Sequence, residues 1–444
     1  MKKKTVFLLV VATAVVTLNA TIFGFYALMG FNNQKTKDIL RFFGALRFIE
    51  TQYVRDVDYT KLIDGAISGM VKTLDDPHSI YLDPKMYELM RSHTEGSFGG
   101  VGIVMGFKDN KITVISVMEG TPSEAAGIKT GDEIIAVDGV PTSEIEPEEV
   151  VLHIRGEIGS EVTLRVRRAG EEDKDYVVRR ATIQVHTVAG QMLPDTDGIG
   201  YIRIASFSEH TADEFKDAYH ALENEGVKGM IIDLRENPGG LVTSCVAIAN
   251  MVVPKGPVVS VVQKDGRREE YESELSEEKY PLVVLIDGNS ASASEILAGA
   301  LQDTGAATIV GQTSYGKGSV QVILPLYDDD ALKLTIAKYY TPSGRCIQKP
   351  YTKGDNANYE KDLDNRFKKG EFYSADSIHL NDSLKYQTLR RKRTVYGGGG
   401  IMPDYFVPLD TTQFSHYHRQ LAAKGIIINA NIQYVDKHRK ELKK

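Results

Sequence analysis

Three residues stand out for the chemistry their types allow. Ser292 ends a strand-like run, Leu285-Ile286-Asp287-Gly288-Asn289-Ser290-Ala291, and opens a helix-like one at Ala293-Ser294-Glu295. A serine at such a turn can project its hydroxyl into a cleft, and the helix start offers unpaired N–H groups and a partial positive charge to an oxyanion. Ser292-x-x-Glu295 equally fits a capping box, which a helix start needs in any protein. Lys317 lies in Tyr315-Gly316-Lys317-Gly318-Ser319-Val320-Gln321. Its spacing from Gly311 suggests a phosphate-binding loop, but Gly318 replaces the required Ser or Thr, and a strand-like segment follows where a helix should. What remains is a lysine at the start of a strand, or an ordinary surface lysine. Gln321, four residues on, should face the same side at a strand period of two.

A serine hydroxyl attacks only when a base takes its proton. No G-x-S-x-G elbow is present, and no histidine lies near Ser292 in sequence, although triad partners meet in space. A lysine can serve if burial lowers its pKa toward neutrality. Glycines flank Lys317 and the next strand is apolar, so desolvation is plausible; Gln321 could hold the amine without adding charge. The implied chemistry is acyl transfer. It asks for no cofactor, and no metal-ligand run such as H-E-x-x-H occurs.

The elements that must position these residues follow from the rest of the 444-residue chain, which is long enough for two to four domains. Apolar residues make up 42% and charged residues 25%, the balance of a globular protein, and a net charge of −7 gives no basic face for nucleic acid. Cys245 and Cys346 are too few for a disulfide scaffold and lack zinc spacing; both are expected as buried apolar side chains, with one long-range disulfide as the alternative. At the N-terminus three lysines precede an uncharged stretch, apolar over most of Val6–Met29. That length fits a spanning helix better than a signal-peptide core, and the nearest cleavage-like site, ending at Ala20, carries Leu18 where a small residue is preferred. An uncleaved inner-membrane anchor is expected, with the lysines inside and the remainder exported into a bacterial-type cell envelope.

From Lys35 to about Glu95 apolar residues recur at helical spacing, interrupted by Asp75-Asp76-Pro77; packing rather than chemistry is expected there. From Gly96 the texture becomes short alternating segments and glycine turns. The glycine-rich Phe98–Ile103 turn, the hairpin at Ala126-Gly127-Ile128-x-x-Gly131-Asp132 and the helix near Val150–Ile154 together resemble a PDZ domain. The resemblance implies that the backbone N–H groups of Gly99, Gly100, Val101, Gly102 and Ile103 receive the C-terminal carboxylate of a peptide added as an edge strand. Arg155, just past that helix, reads as a solvated side chain or as a contact to ligand or neighbouring domain. From Ala181 to Ser343 apolar strands alternate with helices, as in a buried, largely parallel sheet. Gln348–Tyr396 is polar and charged and reads as an insertion or flexible lobe.

Four motifs occur in order: Asp233-Leu234-Arg235-Glu236-Asn237-Pro238-Gly239-Gly240-Leu241, Ser290–Glu295, Gly311–Gln321 and Tyr340-Thr341-Pro342-Ser343-Gly344-Arg345. With the PDZ-like region upstream and Gly400–Asp404 downstream, the chain resembles the carboxy-terminal processing peptidases, or tail-specific proteases. The resemblance implies Ser292, the middle serine of its run, as nucleophile, Lys317 as general base and Gln321 as its support. It implies the N–H groups of Ala293 and of Gly240 or Gly239 as oxyanion donors. The long stretch after Gln348 departs from the family's shorter link. The expected architecture is multi-domain α/β and α+β: a membrane anchor (1–34), a helical region (35–95), a PDZ-like domain (96–180), a serine protease core (181–347), a charged insertion (348–396), and the remainder of the core with a tail (397–444). Expected partners are protein or peptide substrates with free C-termini and the membrane, with no nucleic acid; a homo-oligomer is compatible with the sequence. The rival reading is a non-catalytic envelope adaptor that binds C-termini, which has no reason to carry Ser292, Lys317 and Gln321 together.

Overall fold

A computed structural model describes residues 33–108, 111–168, 170–327, 329–351, 354–410 and 415–428, with isolated positions between 13 and 21 and beyond 428. The anticipated membrane anchor falls almost wholly outside these residues. Among the described residues no helix is long and apolar enough to cross a membrane.

The chain divides into two compact units, residues 1–73 and 74–444. The first contains helices α1 (Asn33–Gln52) and α2 (Tyr59–Lys72). The Asp58 side chain caps α2 by accepting the Lys61 N–H, and α1 leaves Leu40, Phe43 and Phe48 exposed.

The second unit opens with β1 (Ile80–Leu82), a strand inside the stretch read as helical, and α3 (Pro84–Glu95). The N-terminal aspartate of α3, Asp83, accepts the Met86 N–H, Pro84 sits at its first position, and Gly96 ends it in the left-handed conformation. Then β2 (Ser97–Gly100) leads to β3 (Ile103–Lys108), β4 (Lys111–Val117), the short α4 (Pro122–Ala126), β5 (Glu133–Val137), β6 (Val140–Pro141), α5 (Pro147–Ile154), β7 (Glu161–Arg167), β8 (Lys174–Arg179) and β9 (Ala181–Gln184). Strands β3-β4-β5-β7-β8 form an antiparallel sheet in that order, so β3 is an edge. Its buried face alternates strictly along β7, with Val162, Leu164 and Val166 inward, as a half-buried strand requires. The Asp132 carboxylate is buried and held at 2.7 Å by Arg168.

The larger core is built on β10 (Val188–Met192), β11 (Ile199–Ile204), α6 (Thr211–Asn224), β12 (Gly229–Asp233), α7 (Val242–Val252), β13 (Gly256–Gln263), β14 (Arg268–Ser273), β15 (Leu282–Ile286), α8 (Ala293–Thr304), β16 (Ala307–Gly311), β17 (Ser319–Pro325) and β18 (Ala331–Tyr340). One sheet runs β10-β11-β12-β15-β16-β21, where β21 is Tyr405–Phe406; only β10 is antiparallel. This is the anticipated buried parallel sheet. The stretch expected to form it, Ala181 to Ser343, also contains β17, but β17 joins β18, β13, β14 and β1 in a second, antiparallel sheet. Every residue of α8 is buried. Ile296, Leu297 and Leu301 each contribute about 2 kcal/mol there by leaving water.

The described residues of 348–396 are structured, so of the two expectations, insertion or flexible lobe, the flexible lobe does not hold. They carry α9 (Asn356–Glu360), α10 (Asp362–Lys368) and the hairpin β19 (Lys385–Gln387)/β20 (Thr394–Tyr396), with Tyr359, Phe372 and Val395 buried. Few large apolar residues sufficed because ion pairs such as Lys349–Asp362 satisfy the buried charge. The tail contributes α11 (His416–Ala423). Both cysteines are free; Cys245 is fully buried and donates to the Ala293 carbonyl at 3.2 Å, while Cys346, in the loop after β18, is only half-buried, contrary to expectation.

Candidate active site

Each serine of the Ser290–Ser294 run has a different fate. The Ser290 hydroxyl donates to the Leu234 carbonyl at 2.8 Å, the Ser294 hydroxyl to the Asn237 carbonyl at 3.0 Å, and both side chains are buried. They tie the start of α8 to the loop that follows β12. Ser292 between them is half-buried and sits at φ 56°, ψ −113°, a conformation a residue with a Cβ rarely adopts. That strained strand-to-helix turn brings Ser292 to the wall of a cleft, as a nucleophile elbow does, without the G-x-S-x-G sequence. The Glu295 carboxylate accepts the Ser292 N–H at 2.8 Å, so the capping arrangement is present as well. In the same box the Ser292 hydroxyl faces the Glu295 N–H at the first turn of α8. Capping and nucleophile geometry therefore coexist here.

The donors around Ser292 separate cleanly. Gly239 is packed against it: a Cβ on Gly239 would lie 2.7 Å from that of Ser292 and 2.9 Å from the Ala293 nitrogen. The Gly239 N–H, however, donates to the Asn237 side chain at 2.9 Å. The Gly240 N–H has no partner among the described residues, nor has that of Ala293, the first residue of α8. Gly240 is required where it stands, at φ 142°, because a Cβ there would lie 2.1 Å from the Phe207 carbonyl.

Lys317 precedes β17 in the loop after β16. It and Ser292 line one cleft of about 590 Å³, walled by Met90, Phe207, Leu241, Val242, Ile296 and Ile323 and also reached by Gly239, Gly240, Gln321 and Lys333. Burial pushes the Lys317 ammonium down to about 8; the Lys333 cation pushes the same way, against Glu295 and Asp76. Burial likewise lowers Lys333. The Gln321 amide faces the cleft too, but a bulge between Val320 and Gln321 breaks the simple alternation. Its amide nitrogen donates to Ser319 at 2.9 Å and to Thr335 at 3.1 Å, so only its oxygen is left for a neighbour.

Sequence reasoning missed how the two sides are joined. The fully buried Glu295 carboxylate accepts four hydrogen bonds: from the Ser292 N–H, from the Ser314 hydroxyl at 2.5 Å, and from the N–H groups of Gly316 at 2.7 Å and Lys317 at 2.9 Å. Burial pushes its pKa up to about 7, opposed by those donors. One side chain thus fixes the backbone at both candidate residues. Ser292-x-x-Glu295 was visible as a cap, but nothing in sequence announces the second set of donors. The Ser314 hydroxyl also accepts the Ile401 N–H at 2.6 Å, and the Ile401 carbonyl accepts the Ser314 N–H at 3.1 Å, which explains why Gly400–Asp404 accompanies the other motifs. The segment ahead of β1 was also undervalued. Burial lowers His78 to about 4, with the Lys317 charge second, and its ring meets the Tyr359 hydroxyl at 2.8 Å.

Residues 198–357 match the profile of peptidase family S41, residues 88–167 that of the PDZ domain, and residues 29–86 that described as the activating protease CtpB N-terminal domain. Carboxy-terminal processing protease CtpB of Bacillus subtilis is 38% identical over 345 residues, which cover 77% of this chain and 70% of that protein. The carboxy-terminal-processing protease of Bartonella bacilliformis is 42% identical over 327 residues, 71% of this chain and 74% of that one. The chain belongs to the carboxy-terminal processing proteases. As a member it is a serine-type peptidase with a PDZ domain, and the adaptor reading falls. Among solved structures, the photosystem II D1 C-terminal processing protease shares 29% identity with this carboxy-terminal processing protease, over 70% of this chain and 90% of that one, at a TM-score of 0.41.

Three features of the PDZ domain bear on peptide recognition. Gly99 and Gly100 lie in β2, paired with β9, rather than open to a ligand. The N–H groups of Val101 and Gly102 have no partner among the described residues, and β3, which starts at Ile103, is the sheet edge. Gly102 takes φ 82°, and any Cβ there would strike Thr121 at 2.3 Å.

Proposed function

We propose that the protease works through a Ser292–Lys317 dyad. The Ser292 oxygen attacks a backbone carbonyl while the neutral Lys317 amine takes its proton. The tetrahedral oxyanion lies against the N–H groups of Ala293 and Gly240, which spend nothing on reorganisation because the fold already holds them. Lys317 then protonates the leaving amine as the C–N bond breaks. A water, deprotonated by the same lysine, attacks the acyl-enzyme and releases Ser292. Gln321 supports the amine from β17 through its carbonyl oxygen. The observation that carries this reading is a serine on a strained strand-to-helix turn that shares a cleft with a desolvated lysine. The test is cleavage of an unfolded protein by wild type, Ser292→Ala and Lys317→Ala. Loss of cleavage in both variants, at unchanged melting temperature, is expected. Cleavage by either variant at the wild-type rate would overturn the dyad.

The PDZ domain selects substrates by a free, apolar C-terminus. In this reading the Val101, Gly102 and Ile103 N–H groups receive the carboxylate, and the peptide adds to β3 opposite α5. Gly102→Val should weaken binding of a peptide with an apolar free C-terminus and leave a C-terminally amidated one, already weak, unchanged. The apolar run Val6–Met29 anchors the enzyme in the inner membrane with its catalytic part exported to the cell envelope, so alkaline carbonate should not extract it. The apolar residues exposed on α1 serve pairing with a second copy, which Leu40→Glu should break in sedimentation.

A further inference from the structure

Residues 348–396, set apart in sequence by their charge, enclose the loop that carries Lys317. The Arg366 side chain, 8% exposed, donates to the Thr313 carbonyl at 2.8 Å and to the Ser314 carbonyl at 2.9 Å, and pairs with Glu371 at 3.3 Å. The Lys349 N–H donates to the Gly316 carbonyl at 2.8 Å, and the Gln348 side-chain oxygen accepts the Gly318 N–H at 2.9 Å. The approach is close, since a Cβ on Gly318 would lie 2.8 Å from the Gln348 nitrogen. The Lys349 ammonium sits 3.8 Å from the centre of the Tyr315 ring and 4.2 Å from that of Tyr359. Backbone groups on both sides of Lys317 are therefore held by this segment, while Glu295 holds the loop from the core side. Thr313 and Ser314 are buried, so their carbonyls need donors, and a guanidinium with its fixed fork supplies two at once.

We propose that Gln348, Lys349 and Arg366 form a clasp that positions the general-base loop, with Arg366 as its central positioning residue. Cleavage then depends on a segment none of whose residues lines the cleft. The inference rests on the Ser292–Lys317 reading. Its physical content is that the loop must stay both placed and dry. The charged and titratable groups facing Lys317 are Lys333 from β18, Glu295 from α8, and Asp76 and His78 from the segment before β1. An Arg366 variant alters none of them. It releases the loop, lets water reach the amine and returns it toward its ordinary, protonated state.

The test measures kcat and KM of the full chain from neutral to alkaline pH for Arg366→Ala, Arg366→Lys, Gln348→Ala and Lys317→Ala. Arg366→Ala should lower kcat at neutral pH by about 10- to 100-fold, as small misplacements of catalytic groups do. Its KM should hold, and the rising limb of its pH profile should move to higher pH. Arg366→Lys should recover part of the loss, and Gln348→Ala should shift the limb the same way by less. Wild-type kcat and limb in Arg366→Ala, or an equal loss at every pH with the limb in place, would overturn the clasp. If Arg366→Ala does not fold, Gln348→Ala is judged by the same criteria. An inactive Lys317→Ala beside an unaltered Arg366→Ala refutes the clasp alone, whereas an active Lys317→Ala removes the dyad and the clasp with it.

Discussion

The proposed nucleophile and the proposed base stand on differently built ground. Ser292 sits between two consecutive elements, β15 and α8, and its neighbours in sequence are also its neighbours in space. Ser290 and Ser294 secure the turn, and the helix behind it is buried throughout. Lys317 sits on a loop between two sheets, and what holds it comes from Glu295, Gln348, Lys349, Arg366 and Ile401. A local motif can install a nucleophile; a base whose charge must be suppressed needs walls gathered from the whole chain. Glu295 belongs to both constructions, as do Ser290, whose carbonyl accepts the Tyr315 N–H, and Tyr339, which donates to the Ser292 and Gly318 carbonyls.

Substitutions at the two poles should give the largest effects. Ser292→Ala and Lys317→Ala are each expected to lower kcat by about 10⁴-fold or more, and the double variant should be no worse, because the two act as a unit. An additive double variant, measured in the same cleavage assay, would show that they act separately. Glu295→Ala should come next. It orphans four donors at once, so a loss of about 4 kcal/mol is expected, read as a large drop in melting temperature together with loss of cleavage. If only activity falls, the carboxylate serves one pole and not the joint.

The pH profile probes the lysine side alone. Activity should rise with pH through about 8, because the neutral amine is the base and deprotonation creates it. Lys333→Met removes the like charge that helps hold the amine neutral, so the rising limb of kcat/KM should move to higher pH. A limb that stays put would mean that burial alone sets it. The smallest effects are gains. Ser292→Gly should stabilise the inactive protein by about 1 kcal/mol by relieving the positive φ, seen as a modestly raised melting temperature. Lys317→Met should also raise it by removing a buried amine. If only one variant gains, strain is stored at only one pole.

The same contrast governs what could be read from sequence. Strands β12, β15 and β16 were legible almost to the residue, because burial on both faces writes an unbroken apolar run. The serine turn was legible because its parts are contiguous. Lys317 could be singled out by its flanking glycines, but its surroundings could not. The strand β17 pairs with its neighbour β18, but the sheet is completed by β1, β13 and β14 from far along the chain, and a bulge disturbs the alternation that would place Gln321. The N–H of Gly239 looked as available as that of Gly240 until the Asn237 side chain was seen to occupy it. The Asp75-Asp76-Pro77-His78 break read as punctuation, though it brings His78 into the field of Lys317. Residues 348–396 misled most. Charge suggested solvation, whereas Arg366 and Lys349 are buried with partners that only the folded chain brings near.

The pairing of Ser314 with Ile401 has a consequence in time. Translation delivers Ser292 and its turn before the segment around Ile401 that pins the lysine loop. Under the proposed dyad, a chain that stops short of Ile401 carries the nucleophile without a seated base, so the order of synthesis limits what an unfinished protease can cut.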